Sequence, residues 1–199
     1  MELTTVIIHC QNGDPEAFEE LYDLYCEKAL KTAYLIAGEK GIAEDIIQET
    51  FIRCFKNIKK LRNPGIFNSW FYRILVRCGW RITAKYRTHN RAEIVMEEQT
   101  NERERIYCIE ESIEAQEACC TVQQAVKRLS LPLKTVVILY YYDNMKIQEI
   151  STILNCFQGT VKSRLHNARK LLAKELRPYF MDGGDFNQTC QQKELQSNG

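Results

Sequence analysis

Gly159-Thr160-Val161-Lys162-Ser163-Arg164-Leu165-His166-Asn167-Ala168-Arg169-Lys170 is the stretch from which the fold can be read. Wound at about 100° per residue, a helix over 159–176 gathers Val161, Leu165, Ala168 and Leu172 within about 60°, a stripe that must face a core. Opposite it stand Ser163, His166, Asn167 and Lys170, with Lys162 beside them and Arg164 and Arg169 on the flanks. Ahead of this helix, Lys146–Leu154 reads as a shorter one with Ile147, Ile150, Ile153 and Leu154 apolar. Asn155-Cys156-Phe157-Gln158 forms the turn between them. A short helix, a tight turn and a longer basic helix is helix-turn-helix grammar. The second helix suits the major groove of DNA, where Asn pairs with adenine and Lys or Arg with guanine, while flanking cations hold phosphates. A solvated basic face on an ordinary bundle helix is the plainer alternative.

Working outward, residues 118–177 form one helical unit. Val122, Ala125, Val126 and Leu129 make a stripe, Ser130-Leu131-Pro132 breaks and restarts the helix, and Val136, Val137 and Tyr140 continue the core. In the other half, Asp14-Pro15-Glu16 opens a helix over 14–38, with Phe18, Leu21, Tyr22, Tyr25, Ala29, Ala33 and Ile36 at helical spacing. A second helix runs from Ala43 towards Ile58, burying Ile47, Phe51, Cys54 (or Phe55) and Ile58, with Asp45, Gln48 and Glu49 on other faces. Asn63-Pro64-Gly65 is a turn, and a third helix spans roughly 67–87 with Phe67, Trp70, Phe71, Ile74 and Trp80. Trp70 sits at core spacing among Phe71 and Ile74. There is no internal repeat and no strand pattern.

A net charge of +1 conceals a segregation of charge. Between Glu49 and Glu93 there is no acid but there are eleven Lys or Arg, at 53, 56, 59, 60, 62, 73, 77, 81, 85, 87 and 91. Residues 93–117 then carry nine glutamates against Arg103 and Arg105. From Ile150 to Lys174 the acids vanish again. Basic, acidic, basic in that order points to two polyanion-binding surfaces joined by a segment that DNA repels. Span 88–117, Glu-rich and weakly periodic, reads as that linker, and 178–199 as a loose tail.

Composition excludes several classes. The nine cysteines include no C-x-x-C pair, and His9, His89 and His166 are scattered, so neither a metal site nor a disulfide framework is expected. Without a glycine-rich phosphate loop or paired catalytic carboxylates, no cofactor and no enzymatic activity is expected. The N-terminus has no signal-peptide pattern, and runs such as Val136–Tyr142 are far too short to span a membrane, so a cytoplasmic protein without membrane insertion is expected.

Several of these segments resemble a known family. Leu131-Pro132, Tyr140-Tyr141-Tyr142, Gln148-Glu149-Ile150 and the run from Gly159 to His166 are similar to the promoter-reading domain of extracytoplasmic-function (ECF) sigma factors of bacterial RNA polymerase. Asp14-Pro15-Glu16-Ala17-Phe18, Ala43-Glu44-Asp45 with Gln48-Glu49-Thr50-Phe51, and Trp70-Phe71-Tyr72-Arg73-Ile74 resemble that family's first domain, in the right order. Together they cover about 14–87 and 118–177.

The resemblance implies an all-α fold of two small helical domains, a promoter-melting bundle over 1–87 and a helix-turn-helix domain over 118–177, joined by the acidic linker 88–117. It implies a factor that directs core RNA polymerase to promoter DNA and assists melting, held by an anti-sigma factor. Asp45, Gln48 and Glu49 would dock on the polymerase clamp. Lys59, Lys60, Arg62, Asn63, Arg73, Arg77 and Arg81 would bind the melted minus-ten strand. Thr160, Lys162, Ser163, Arg164, His166, Asn167, Arg169 and Lys170 would bind the minus-thirty-five duplex. The basic charge supports the strand-binding role independently, since single strands need cations along the backbone. Five residues depart from the family pattern. Arg77 and Arg81 stand where Asn and Asp are usual, Asn155 where Gly is, Phe157 where a capping Ser or a Pro is common, and Asn167 where Arg is frequent. Asn155 tolerates the left-handed backbone of such a turn. A self-sufficient helix-turn-helix regulator is the alternative; it accounts for 118–177 but not for the acid-free stretch.

Overall fold

A computed structural model describes residues 2–93 and 113–179, with side chains over 2–88 and 119–179. All the regular structure in these residues is helical: α1 (Leu3–Asn12), α2 (Pro15–Ala37), α3 (Lys40–Asn57), α4 (Phe67–Glu93), α5 (Ile113–Arg128), α6 (Leu131–Val137), α7 (Ile147–Leu154) and α8 (Gln158–Leu176). Helix takes in both ends of the span 88–117 expected as linker; the rest of that span and the tail from 180 lie outside the described residues.

Local chemistry sets the helix ends. Asp14 caps α2, its carboxylate accepting from the backbone N–H groups of Glu16 (3.0 Å) and Ala17 (3.3 Å), with Pro15 in the first turn. Gly38 stops α2 at φ 89°, a left-handed conformation that costs glycine nothing. Helix α1 was not expected, because Leu3–Asn12 carries no capping signal. It is held from outside: the Gln11 amide donates to the carbonyls of Ile58 (3.0 Å) and Leu61 (2.6 Å), while Val6, Ile7 and Cys10 are buried.

Packing resolves the sequence ambiguities. Cys54 is fully buried on α3, and Phe55 is 60% exposed. Tyr22 and Val122, expected on buried stripes, are instead exposed at the edges of α2 and α5. Trp70 and Trp80 are partly buried against the core, as expected of Trp70. Helices α2 and α4 approach so closely at Gly79 that an added Cβ would lie 3.3 Å from Ile36 Cγ2.

The two halves share a core. One cluster of buried apolar residues extends from Val6 through Phe71 and Leu75 to Leu139, Ile150 and Leu165. Polar contacts cross the same boundary. Arg73 Nη2 donates to the Thr152 carbonyl (2.6 Å), and Trp80 Nε1 to Thr135 Oγ1 (2.9 Å). The buried Asp143 carboxylate accepts from Thr32 Oγ1 (3.1 Å) and the Tyr72 hydroxyl (3.0 Å). Leu129, Val137 and Ala168 form a smaller second cluster under α5.

Candidate nucleic-acid interface

Helix α8 follows the amphipathic reading. Val161, Leu165 and Ala168 are buried and Leu172 is partly so, whereas Lys162, Ser163, His166, Asn167 and Lys170 are exposed. Thr160, Arg164 and Arg169 are intermediate. The turn before α8 depends on Asn155, which holds φ 51° and ψ 53° as expected of Asn in place of Gly. At the start of α7, Glu149 reaches back to accept from the Lys146 N–H at 2.8 Å.

Arg169 is turned inward. Its Nε donates to the Tyr141 hydroxyl at 2.8 Å, and its guanidinium carbon lies 5.8 and 5.9 Å from the ring centroids of Tyr140 and Tyr141. These contacts brace α8 against the helical segment Ile138–Tyr142 that continues α6. Sequence reasoning placed Arg169 with the DNA contacts because the inward partner, a tyrosine 28 residues upstream, leaves no periodic signal.

The basic half divides into two groups. Lys59, Lys60, Arg62 and Asn63 sit on an exposed loop between α3 and α4, and Arg77 projects from α4 into solvent. Asn63 shapes this loop, its side-chain oxygen accepting from the Gly65 N–H at 2.9 Å, and Lys60 Nζ donates to Asn57 at 2.9 Å. Arg73 and Arg81 instead meet protein. Arg73 reaches Thr152 on α7, and Arg81 Nη2 donates to Glu49 at 2.8 Å.

Asp45, Gln48 and Glu49 share one face of α3, bordered by the distal part of α4. Asp45 accepts from the Tyr86 hydroxyl (2.6 Å), and Glu49 from Arg53 Nε (2.6 Å) as well as Arg81. The Arg53 hydrogen bond, with the charges of Arg53 and Arg81, holds the Glu49 carboxyl below the usual carboxylate range. Next to Gln48 the surface turns apolar: Ile52 is 41% and Phe55 60% exposed, at the edge of a groove between α2 and α3 lined by Phe18, Tyr22 and Phe51. Sequence reasoning missed these two residues. The sequence offers Phe55 only as a core alternative to Cys54, since both are apolar.

Among the described residues no cluster of His, Cys, Asp or Glu suits a metal ion, and no helix is long and apolar enough to cross a membrane.

A helical body bearing a helix-turn-helix unit beside a second basic surface is the frame of a DNA-binding protein. Residues 13–88 match the family described as Sigma-70 region 2, and residues 121–172 that described as Sigma-70, region 4. The chain is 34% identical over 173 residues to the ECF RNA polymerase sigma factor SigW of Bacillus subtilis (strain 168), covering 84% of this chain and 92% of the relative. It is 31% identical to RNA polymerase sigma factor SigV of the same organism, over 73% of this chain and 82% of that one. Two solved structures share the fold at a TM-score of 0.65. One is CnrH in complex with the cytosolic domain of CnrY (17% identity, 88% of this chain and 97% of that chain). The other is the Bartonella quintana sigma factor RpoE with the anti-sigma factor NepR (21% identity, 80% and 96%). The chain belongs to the ECF sigma factors, which direct bacterial RNA polymerase to promoters.

Proposed function

We propose that this sigma factor divides its work among three surfaces. Asp45, Gln48 and Glu49, extended by Ile52 and Phe55, dock on core RNA polymerase. The loop Lys59, Lys60, Arg62 and Asn63, with Arg77, captures the melted minus-ten strand, and Arg73 and Arg81 join it once released from Thr152 and Glu49. Helix α8 reads the minus-thirty-five duplex through Lys162, Ser163, His166, Asn167 and Lys170, with Thr160 and Arg164 at its margins and Arg169 fixing its orientation.

The observation that carries this reading is the polarity of α8. Its apolar stripe is buried, and the opposite face, rich in donors and free of acids, is open to solvent. The basic loop supplies backbone-tracking charge with no acid nearby in sequence. The protein acts in the cytoplasm as a non-enzymatic initiation factor, with promoter sequence read by binding alone. An anti-sigma protein is the further expected partner, since the Bartonella quintana sigma factor RpoE, of the same fold, is described in complex with the anti-sigma factor NepR. The glutamates of 93–117 would repel DNA between the two reading sites.

Selection from a randomised promoter library tests the reading, by run-off transcription for the reconstituted holoenzyme and by direct binding for the isolated chain. Selection of two spaced elements by the reconstituted holoenzyme supports it. Tight selective binding by the isolated chain would favour a self-sufficient regulator instead.

A further inference from the structure

Phe157 is 87% exposed, the most exposed of the large apolar side chains among the described residues. It occupies the N-cap position of α8, where its side chain makes no capping hydrogen bond. Its backbone is fixed: φ −68° and ψ 148° are extended, and its carbonyl accepts from the N–H groups of Thr160 (2.9 Å) and Val161 (3.2 Å). The ring therefore projects from a rigid base with no internal partner. Two residues on, a Cβ built on Gly159 would meet nothing within 4 Å, so the surface beside the ring is open to an approaching molecule.

A hydrophilic N-cap would serve the fold better. Ser, Thr, Asp or Asn here would accept a backbone N–H of the first turn, and an exposed phenyl contributes nothing in its place. The end of α8 that carries the ring is the end a helix-turn-helix presents to base edges. Duplex DNA offers a phenyl ring little there except one apolar group. The C5-methyl of thymine lies in the major groove, and the sugar–phosphate walls are polar and charged.

We propose that Phe157 is a sequence-reading residue of the minus-thirty-five interface, packing its ring on the C5-methyl group of a thymine in the major groove. This rests on the assignment of α8 to duplex DNA. It adds to the polar readers a contact that discriminates by the presence of a methyl group rather than by hydrogen bonding.

Deoxyuridine differs from thymidine only by that methyl, which makes the test atomic. Holoenzyme binding is measured on promoters carrying deoxyuridine at each minus-thirty-five thymine in turn, with the wild-type protein, Phe157→Ser and Asn167→Ala. The expected result is a five- to tenfold loss at one thymine for the wild type and for Asn167→Ala, and none at that thymine for Phe157→Ser. Thermal melting separates this from a structural role: Phe157→Ser melts no lower than wild type, because Ser restores the cap, while binding the unmodified promoter more weakly. Two results overturn the proposal. One is indifference of the wild type to every deoxyuridine; the other is a uniform loss for Phe157→Ser with its deoxyuridine profile unchanged, which would place the ring on the DNA walls or on polymerase. If Asn167→Ala also leaves promoter selection untouched, the assignment of α8 itself falls.

Discussion

The Tyr72 hydroxyl donates to Asp143 Oδ1 at 3.0 Å, tying α4 of region 2 to the turn that leads into the helix-turn-helix of region 4. Thr32 of α2 donates to the same carboxylate, and Lys28 Nζ lies 4.0 Å away. The two promoter elements are centred roughly 25 base pairs apart, about 85 Å of duplex at 3.4 Å per pair. A compact chain of this length has a radius of gyration of only about 16 Å. Two halves that share a core cannot span that distance, so on the proposed assignment of one half to each element the Asp143 contacts break when both are read.

Opening should therefore depend on pH. Burial pushes the Asp143 carboxyl up to about 6, against the hydrogen bonds from Tyr72 and Thr32 and the charge of Lys28. The opened form would titrate near the ordinary 3.8. A raised carboxyl means that closing takes up a proton. Closure is strongest below about pH 4, weakens as pH rises towards about 6, and is level above that. A shift of about two units corresponds to a ceiling of about 3 kcal/mol. Small-angle scattering should show a smaller radius of gyration at pH 5 than at pH 7.5. Asp143→Asn should be compact at both; an unchanged pH response in that variant would remove Asp143 from the switch.

Replacing Asp45, Gln48 and Glu49 together with Ala should abolish co-purification with core polymerase while leaving helical content nearly unchanged. Phe55→Ser should weaken assembly without lowering the melting temperature, because the ring is 60% exposed. Normal holoenzyme formation by both variants would sink the docking assignment.

Asn167 and Arg169 now separate by stability as well as by binding. Asn167→Ala should lose about 1–3 kcal/mol on the preferred sequence and relax choice at one position, with no change in melting. Arg169→Ala should melt at lower temperature, by about 1–2 kcal/mol for the lost hydrogen bond and ring contacts. It should also weaken all promoter sequences alike. If Arg169→Ala reshapes the selected motif at unchanged stability, the guanidinium faces bases rather than Tyr141.

Lys59, Lys60 and Arg62 should act through charge alone. Each change to Ala should reduce the salt slope of open-complex binding by about 0.7, the value for single strands. Arg73→Ala should loosen the contact with α7 instead, seen as faster hydrogen exchange around Thr152. An unchanged slope for the triple variant would move strand capture elsewhere.

Much of this was legible because helices write their faces into the sequence. The stripe Val161, Leu165 and Ala168 fixed the orientation of α8, and the acid-free stretch located the basic half. Contacts between elements far apart in the chain left no such trace. Asp143 is the sole acid between Glu117 and Glu149, which marks it as unusual, yet nothing in its neighbours names Thr32 or Tyr72 as partners 111 and 71 residues away. Arg73 and Arg81 look like any other cations in a basic helix, and only packing assigns them to Thr152 and Glu49. Helix α1 was invisible because Gln11, tethered to carbonyls near residue 60, stabilises it from outside.

The Glu49–Arg81 pair gives the two macromolecular ligands a shared currency. In the free protein Glu49 shares its charge between Arg53 and Arg81, the latter a cation on the helix proposed to meet DNA. A polymerase side chain that engages Glu49 competes with Arg81 and returns that cation to the nucleic acid. A phosphate that draws Arg81 away likewise leaves Glu49 more available to polymerase. If Glu49 and Arg81 have the proposed roles, linkage requires the two effects to be equal in magnitude, and assembly on core enzyme and strand capture would reinforce one another. On that assignment, a chain that meets DNA before polymerase would meet it with Arg81 partly held back.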